Sequence, residues 1–397
     1  MAYRKIIFLN THPIQYFAPM YQQIAEAKAF DFEVWYCTRH GLNEEEDRQF
    51  SRVVQWDIPI LEGYPSRFLK NHARQPSIYS RWGILNLGIF REIFRLPHKS
   101  AVVVAGWNNF TFLAAVLACK LSGHDVFIRG DNPFNKEKFR KGFVSGLQRK
   151  LLQHILFPLI DRFLYIGEQN KRFYERYGVK KPKLTYTPFA VDNRRFSGQA
   201  AALSNHKRVI KQELGLPADK KIILFTGKFI PVKRPLDLVD AFRQIADNAN
   251  AVLVMVGDGE LKREIVAKIA GYGLRDAVHL PGFVNQSEIA RYYAAADVLV
   301  LCSVRESWGL SVNEAMNFGL PIIVSDMVGC GDNLVREGIN GFVFPVGDIA
   351  QLAEKLRYVL QNDHWRLQAG TVSQHLVAEH DYATSIRNLK DIFNSKE

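Results

Sequence analysis

The stretch VRESWGLSVNEAMNFGLPIIVSD, residues 304–326, sets two glutamates, Glu306 and Glu314, eight positions apart around Gly309-Leu310-Ser311. It follows the apolar run DVLVLCS (297–303) and leads through a short helical pattern into Gly319-Leu320-Pro321 and the β-branched PIIVS. Strand, loop, helix, strand is the order of a parallel α/β unit, where ligands sit at the carboxyl ends of strands. Ser311 followed three residues later by Glu314 reads as a capping box, with an acid suited to the helix dipole. That accounts for Glu314 and leaves Glu306 in a loop with no helix to serve.

The same alternation extends in both directions. KIIFLN (5–10), FEVWYC (32–37), AVVVA (101–105), DVFIR (125–129) and RFLYI (162–166) read as strands. Helical patterns such as PIQYFAPMYQQIAEA (13–27) and FTFLAAVLACKLSG (110–123) lie between them. A second series opens at KKIILFTG (220–227) and continues through PLDLVDAFRQIAD, AVLVMVG and ELKREIVAKIAGYG. Between the series, residues 187–217 are polar and turn-rich, which predicts a boundary at 190–205. The tail YATSIRNLKDIFNS has apolar positions at helical spacing and reads as a packed helix. The expected architecture is α/β, with two Rossmann-like doubly wound domains facing across a cleft.

The 397 residues are 47% hydrophobic and 23% charged, ordinary for a soluble enzyme of two domains. Cys37, Cys119, Cys302 and Cys330 form no C-x-x-C pair or Cys/His cluster, which argues against a disulfide framework and a zinc site. The N-terminus enters a strand pattern without a signal-peptide core, and no uncharged apolar run reaches membrane-spanning length. A cytoplasmic protein is expected. The net charge of +12 is uneven: residues 1–200 hold 30 Lys+Arg against 17 Asp+Glu, and the remainder 22 against 23.

Within residues 135–156, Phe139, Phe143, Leu147, Leu151 and Ile155 recur every fourth position, with Lys138, Lys141, Arg149 and Lys150 among them. Two readings are open. The stripe packs on the sheet while its charges are solvated, or the helix lies on an anionic membrane surface. Nucleic acid is not expected as a partner, since no recognition-helix, RNP or zinc-finger signature accompanies the charge.

In the second half, Gly227 ends a strand and Lys228 and Lys233 follow in a loop that opens a helix, an arrangement suited to a phosphate. The N–H groups at Gly309, Leu310 and Ser311 form a second anion site. Glu306 and Glu314 are then free to accept hydrogen bonds from sugar hydroxyls. Together these residues describe a nucleotide-sugar site.

On those residues the sequence resembles the family-4 retaining glycosyltransferases, the group 1 family, which have the GT-B fold. ESWGLSVNEAMNFGLPIIVSD is similar to their E-x7-E motif, and FTGKFIPVKRPLDLVDAF to their G-R-…-K-G segment. VMVGDGELKREI, HLPGFVNQSEIARYYAAADVLVLCS, GCGDNLVREGINGFVFPVGD and, in the linker, TPFAVDNRRF extend the likeness across about residues 184–350. The resemblance implies a donor-binding domain at 196–379, with an acceptor-side domain at 1–195 onto which helix 380–397 packs back. It implies that Glu314 binds the donor ribose, Glu306 contacts the donor sugar, and Lys228 and Lys233 hold the diphosphate, helped by the backbone of Gly309 to Ser311. The implied reaction moves a sugar, with retention, from a nucleoside-diphosphate sugar to a hydroxyl of a lipid-linked, polysaccharide or other glycan acceptor.

The sequence departs from the family pattern at several points. Lys228 stands where Arg is usual, and Arg234 replaces the Gly after the second lysine. The Gly-rich loop after the first strand is here NTHPIQY, with His12, and the usual later His gives way to Arg129-Gly130-Asp131. His12 and Asp131 are the catalytic candidates on that side, and each also reads as an ordinary loop residue. No cofactor and no metal is expected, because the only paired acids at a strand end are Asp258 and Glu260. A pseudoenzyme that keeps the fold, and a nucleotide-sugar epimerase or phosphorylase, remain as alternatives.

Overall fold

A computed structural model describes residues 3–42, 46–47, 52–53, 56–139 and 142–394. The first strands are Lys5–Asn10 (β1), Phe32–Tyr36 (β2), the antiparallel two-residue pair Glu46–Asp47 (β3) and Arg52–Val53 (β4), and Ser66–Phe68 (β5). Ser100–Val104 (β6), Asp125–Ile128 (β7), Arg162–Tyr165 (β8) and Leu184–Tyr186 (β9) follow. The rest are Lys221–Thr226 (β10), Ala251–Val256 (β11), Val278–Gly282 (β12), Val298–Leu301 (β13), Ile322–Ser325 (β14) and Gly341–Phe344 (β15).

One sheet runs β5-β2-β1-β6-β7-β8-β9, with every neighbouring pair parallel. Crossover helices cover parallel strands on both faces, so these strands are near-continuous apolar runs; Ile7, Leu9, Val102, Val104, Val126 and Ile128 are all buried. Helix Phe110–Ser122 lays Phe112, Ala115, Val116 and Cys119 on this core. Asn109 caps its start by accepting from the Phe112 N–H, and Gly123, at φ +72°, ends it.

The second sheet runs β12-β11-β10-β13-β14-β15, again all parallel. Its order reverses between β10 and β13, which puts the topological switch point at their carboxyl ends. Phe225, Met255, Val300 and Ile323 meet Leu352 and Leu356 of helix Ile349–Gln361 in its core. At the opposite end, the buried Asp297 carboxylate accepts from the Ile222 N–H at 2.8 Å and pairs with Lys207 at 2.9 Å and Lys211 at 3.7 Å.

The chain divides into Met1–Glu45 with Ile58–Phe189 and Tyr382–Glu397, and Glu46–Asp57 with Ala190–Asp381. The division falls at 189/190 rather than at 195/196. The linker is helical here (Asn193–Leu203, Lys207–Glu213), and its first turn is held in the second unit: Asn193 donates to Val377 O at 2.9 Å and accepts from Asn317 at 2.9 Å. The final helix, Tyr382–Asn394, belongs to the first unit. Ser385 and Asn388 donate to the carbonyls of Pro188 and Tyr186, and Phe393 stacks on Phe127 with ring centroids 5.6 Å apart.

Candidate functional site

Residues at the carboxyl ends of β10 and β13 come together in the second unit. A side chain at Gly257, after β11, would place its Cβ 1.9 Å from the Gly227 carbonyl oxygen, so only glycine lets the two strand ends approach. That contact fixes the backbone where the loop carrying Lys228 begins. Phe229 then turns inward, its N–H donating to Asp258 O at 2.8 Å, and Pro231–Lys233 forms a single 3-10 turn.

The next residue, Arg234, has φ +50°, the left-handed region in which a glycine is unstrained. This is a physical reason for the glycine usual there in the family. The strain at Arg234 is offset by a two-point fork onto Asp237 at 2.5 and 3.0 Å, inside the first turn of helix Pro235–Arg243.

Glu306 lies in the loop after β13. Its backbone bridges to Val328, and its carbonyl accepts from the Gly329 N–H at 3.1 Å. The Val304 N–H donates to Val232 O at 3.0 Å, which ties this loop to the lysine loop. As a result the Lys233 ammonium, 73 positions away in sequence, donates to the Glu306 carboxylate. Two residues singled out separately in the sequence therefore form one ion pair.

Helix Leu310–Asn317 begins at Gly309, whose φ of +100° makes it a left-handed cap with no side-chain hydrogen bond. The capping-box expectation is corrected by this geometry: Ser311 is the second helical residue, not the cap. Glu314 instead serves the interior. It is 3% exposed and accepts from the Tyr293 hydroxyl at 2.6 Å, which itself lies 3.3 Å from Thr226 Oγ1 at the end of β10. Asp258 is engaged by the Gly259 N–H and by Lys262. Among the described residues no three His, Cys, Asp or Glu side chains cluster as metal ligands. All four cysteines are free and buried, and burial pushes the Cys330 thiol up.

In the first unit, His12 follows β1 with its Nδ1 2.9 Å from Thr11 Oγ1 and its ring edge-on to His40 at 5.3 Å. Asp131 is exposed in the loop after β7. Sequence reasoning gave no role to Arg129, two residues earlier, whose guanidinium lies 4.8 Å from the Phe17 ring and 5.3 Å from that of Phe189.

The described part of the apolar stripe is exposed rather than packed on the sheet. Helix Phe143–Leu151 runs into the π-turn Leu152–Leu156, and Leu147, Leu151 and Ile155 are 49%, 47% and 60% exposed. Leu113, Leu117 and Trp82 are exposed as well. Between the two helices lies an open pocket of about 410 Å³ lined by Trp82, Leu113, Leu151 and Ile155. Lys141 and the side chains of Lys138, Phe139 and Phe143 lie outside the described residues.

A family model described as "Glycosyl transferases group 1" matches residues 206–374. The N-acetyl-alpha-D-glucosaminyl L-malate synthase of Bacillus anthracis is 31% identical over 294 residues, 74% of this chain and 71% of that enzyme. The UDP-Gal:alpha-D-GlcNAc-diphosphoundecaprenol alpha-1,3-galactosyltransferase of Escherichia coli is 25% identical over 308 residues, 76% of this chain and 78% of its own. Among solved structures, Anabaena HepE in complex with UDP and glucose superposes with a TM-score of 0.74 at 16% identity, covering 99% of this chain and 100% of that one. WaaG, a glycosyltransferase involved in lipopolysaccharide biosynthesis, gives 0.68 at 16% identity, covering 98% and 100%. These likenesses establish the GT-B fold.

Proposed function

Because the chain belongs to the group 1 glycosyl transferases, we propose that it moves a sugar, with retention, from a nucleoside-diphosphate sugar to a hydroxyl of a lipid-linked, polysaccharide or other glycan acceptor. The observation that carries this reading is the joining of Lys233 and Glu306 at the β10/β13 switch point, beside the uncapped helix start at Gly309. Lys228 and Lys233, with the first-turn N–H groups of Leu310 and Ser311, face the diphosphate; Gly227 leaves room for it. Glu306 contacts the donor sugar and Glu314 the ribose. His12 and Asp131 are the polar groups we assign to the acceptor side. Fixed cations and dipoles that stabilise the departing nucleoside diphosphate supply the main catalytic effect.

No divalent metal is assigned a role, since these cations already neutralise the leaving group. Thermal stabilisation by a panel of UDP-, GDP- and ADP-sugars tests donor binding, because a ligand bound only to the native state stabilises by mass action. Donor hydrolysis or transfer by the stabilised pair should persist in excess EDTA. Stabilisation by no donor would overturn the reading, and activity abolished by EDTA and restored by magnesium or manganese would overturn the metal-free site.

Glu314→Gln should weaken donor binding. A carboxylate accepting a hydroxyl bond in a buried site is worth about 1.5–3 kcal/mol per bond, so a rise of about 10–100-fold in donor Kd is expected by calorimetry. Since Glu314 caps no helix, a fall in melting temperature with an unchanged Kd would remove it from the donor site.

We assign the acceptor side to an anionic membrane face, where the enzyme works peripherally from the cytoplasm. The support is the exposed stripe Leu147-Leu151-Ile155 beside exposed Arg149 and Lys150. The Escherichia coli relative's diphosphoundecaprenol acceptor fits this assignment. Among the described residues, no helix is long and apolar enough to cross a membrane. Sedimentation with phosphatidylglycerol vesicles should exceed that with phosphatidylcholine vesicles, weaken at high salt, and fall several-fold in Leu147→Glu/Leu151→Glu. Binding indifferent to lipid charge or to these two residues would count against it.

A further inference from the structure

Arg129 emerges from the carboxyl end of β7, its N–H donating to Val104 O at 3.0 Å, and its guanidinium is walled by Phe17 and Phe189. The Nε atom is buried and has no hydrogen-bond partner, and among the described residues no carboxylate forms an ion pair with this side chain. Several other partly buried cations are matched by acids: Lys120 by Asp161 at 2.5 Å, Arg67 by Glu92 at 2.8 Å, Arg234 by Asp237 at 2.5 Å. Arg129 has no such ion pair, and whereas Arg195, whose Nε is also unpartnered, donates to Gln286 at 2.6 Å, Arg129 is faced by aromatic rings. Burial lowers its affinity for the proton and outweighs the opposing pull of Asp131, which forms no ion pair with it; this expresses the cost of a charge removed from water without a contacting anion.

The Phe17 and Phe189 rings stabilise a cation over their faces but satisfy none of its N–H donors. The side chain is not sealed in; it keeps partial solvent exposure, so an anion can reach it from outside. Phe17 sits on the segment that leads from β1 into helix Ala18–Glu26, and Phe189 follows β9. Three separate segments of the first unit therefore converge on one guanidinium that has no ion-pair partner. A planar fork held in that way suits a phosphate or carboxylate, which it can grip at two points.

We propose that Arg129 is the anion-binding residue of the acceptor side and receives a phosphate or carboxylate group carried by the acceptor. The assignment of that anion to an acceptor rests on the transferase reading above; the anion site itself does not. A soluble acid and a lipid phosphate present the same chemistry, so both are tested.

The full-length protein, its Arg129→Gln and Arg129→Lys variants, and Lys233→Ala are titrated at constant ionic strength with inorganic phosphate and with L-malate, and mixed with phosphatidic acid vesicles. We expect wild type to bind at least one probe, and Lys233→Ala, which weakens the diphosphate site, to keep the part of that binding that depends on Arg129. Arg129→Gln should bind that probe at least tenfold more weakly and Arg129→Lys should fall between, with UDP binding unchanged in both. Loss of vesicle binding alone identifies a lipid phosphate, and loss of phosphate or malate binding a soluble acceptor. Equal affinity in wild type and Arg129→Gln, or binding of none of the three probes by wild type, overturns the proposal. Should Arg129→Gln fail to fold, an unchanged affinity in Arg129→Lys, which keeps the charge and loses the fork, overturns it instead. If wild type binds no UDP or donor sugar while anion binding still depends on Arg129, the transferase reading falls and this site stands.

Discussion

Replacing Lys233 by alanine should lower kcat/KM for sugar transfer by roughly 10²–10³-fold, a loss of about 2.7–4 kcal/mol in transition-state stabilisation, as when one preorganised donor is removed from a charge-developing site. Charge develops on the diphosphate as the glycosidic bond breaks, and a cation already fixed in place needs no reorganisation to meet it. Lys233 is fixed in that sense. The 3-10 turn Pro231–Lys233 sets its backbone, the Val304–Val232 bond holds its loop to that of Glu306, and the Glu306 carboxylate anchors its ammonium.

Alanine also strips Glu306 of its partner. Glu306→Gln and the double variant with Lys233→Ala close a cycle that separates the loss of the pair from the loss of the phosphate contact. Lys228→Arg retains a cation and should stay within about threefold of wild type. Equal and severe losses in Lys228→Arg and Lys233→Ala would mean that the diphosphate lies elsewhere, and a Lys233→Ala enzyme of normal turnover would make the pair purely structural.

What the sequence disclosed about this site follows from how local each feature is. Parallel strands buried on both faces must be apolar end to end, so IIFL, AVVV and VLVMV announce themselves without any knowledge of their neighbours. Glu306 and Glu314 were legible because they flank a single strand-to-helix turn. The capping box was misread because the serine–glutamate spacing is only a local rule. Gly309 reaches a left-handed conformation that no side-chain pattern encodes, and it starts the helix two residues before Ser311.

The stripe at Leu147, Leu151 and Ile155 could not be resolved from spacing, since fourth-residue periodicity marks one face of a helix without saying what covers it. Arg129 was noted where the family's histidine is usual, but its setting was hidden for a related reason. That setting depends on Phe17 and Phe189, which are distant in sequence, and on Asp131 forming no ion pair with the guanidinium although it lies only two residues away. The domain boundary moved for the same cause: Asn193 belongs with Val377 and Asn317, contacts that only the folded chain brings together.

Asp297 lay equally hidden inside the apolar run DVLVLCS, and its replacement by asparagine should destabilise the protein by about 3–5 kcal/mol, because removing one member of a buried ionic cluster leaves the other uncompensated. Lys211, only 6% exposed, would lose its carboxylate and keep its bond to the Lys220 carbonyl at 2.7 Å. Asparagine preserves shape and its oxygen can still accept from the Ile222 N–H, so the deficit isolates the charge.

Burial alone would raise the Asp297 carboxyl, but Lys207, the Ile222 N–H and Lys211 outweigh it and hold it below the usual carboxylate range. A group depressed in the folded state contributes its stability above its unfolded pKa and loses it as pH falls through the folded one. The deficit of Asp297→Asn, measured by urea unfolding, should therefore be constant from about pH 8 to pH 5 and shrink as the pH drops below about 4, the ordinary carboxylate value. Adding Lys211→Met should restore part of it by removing the stranded charge. A deficit below about 1 kcal/mol, or one that grows in acid, would show that the cluster is not the tie inferred here. The site depends on that tie, for Asp297 begins the segment that becomes β13 and grips the start of β10, and those two strands carry Glu306 and Gly227 at their far ends.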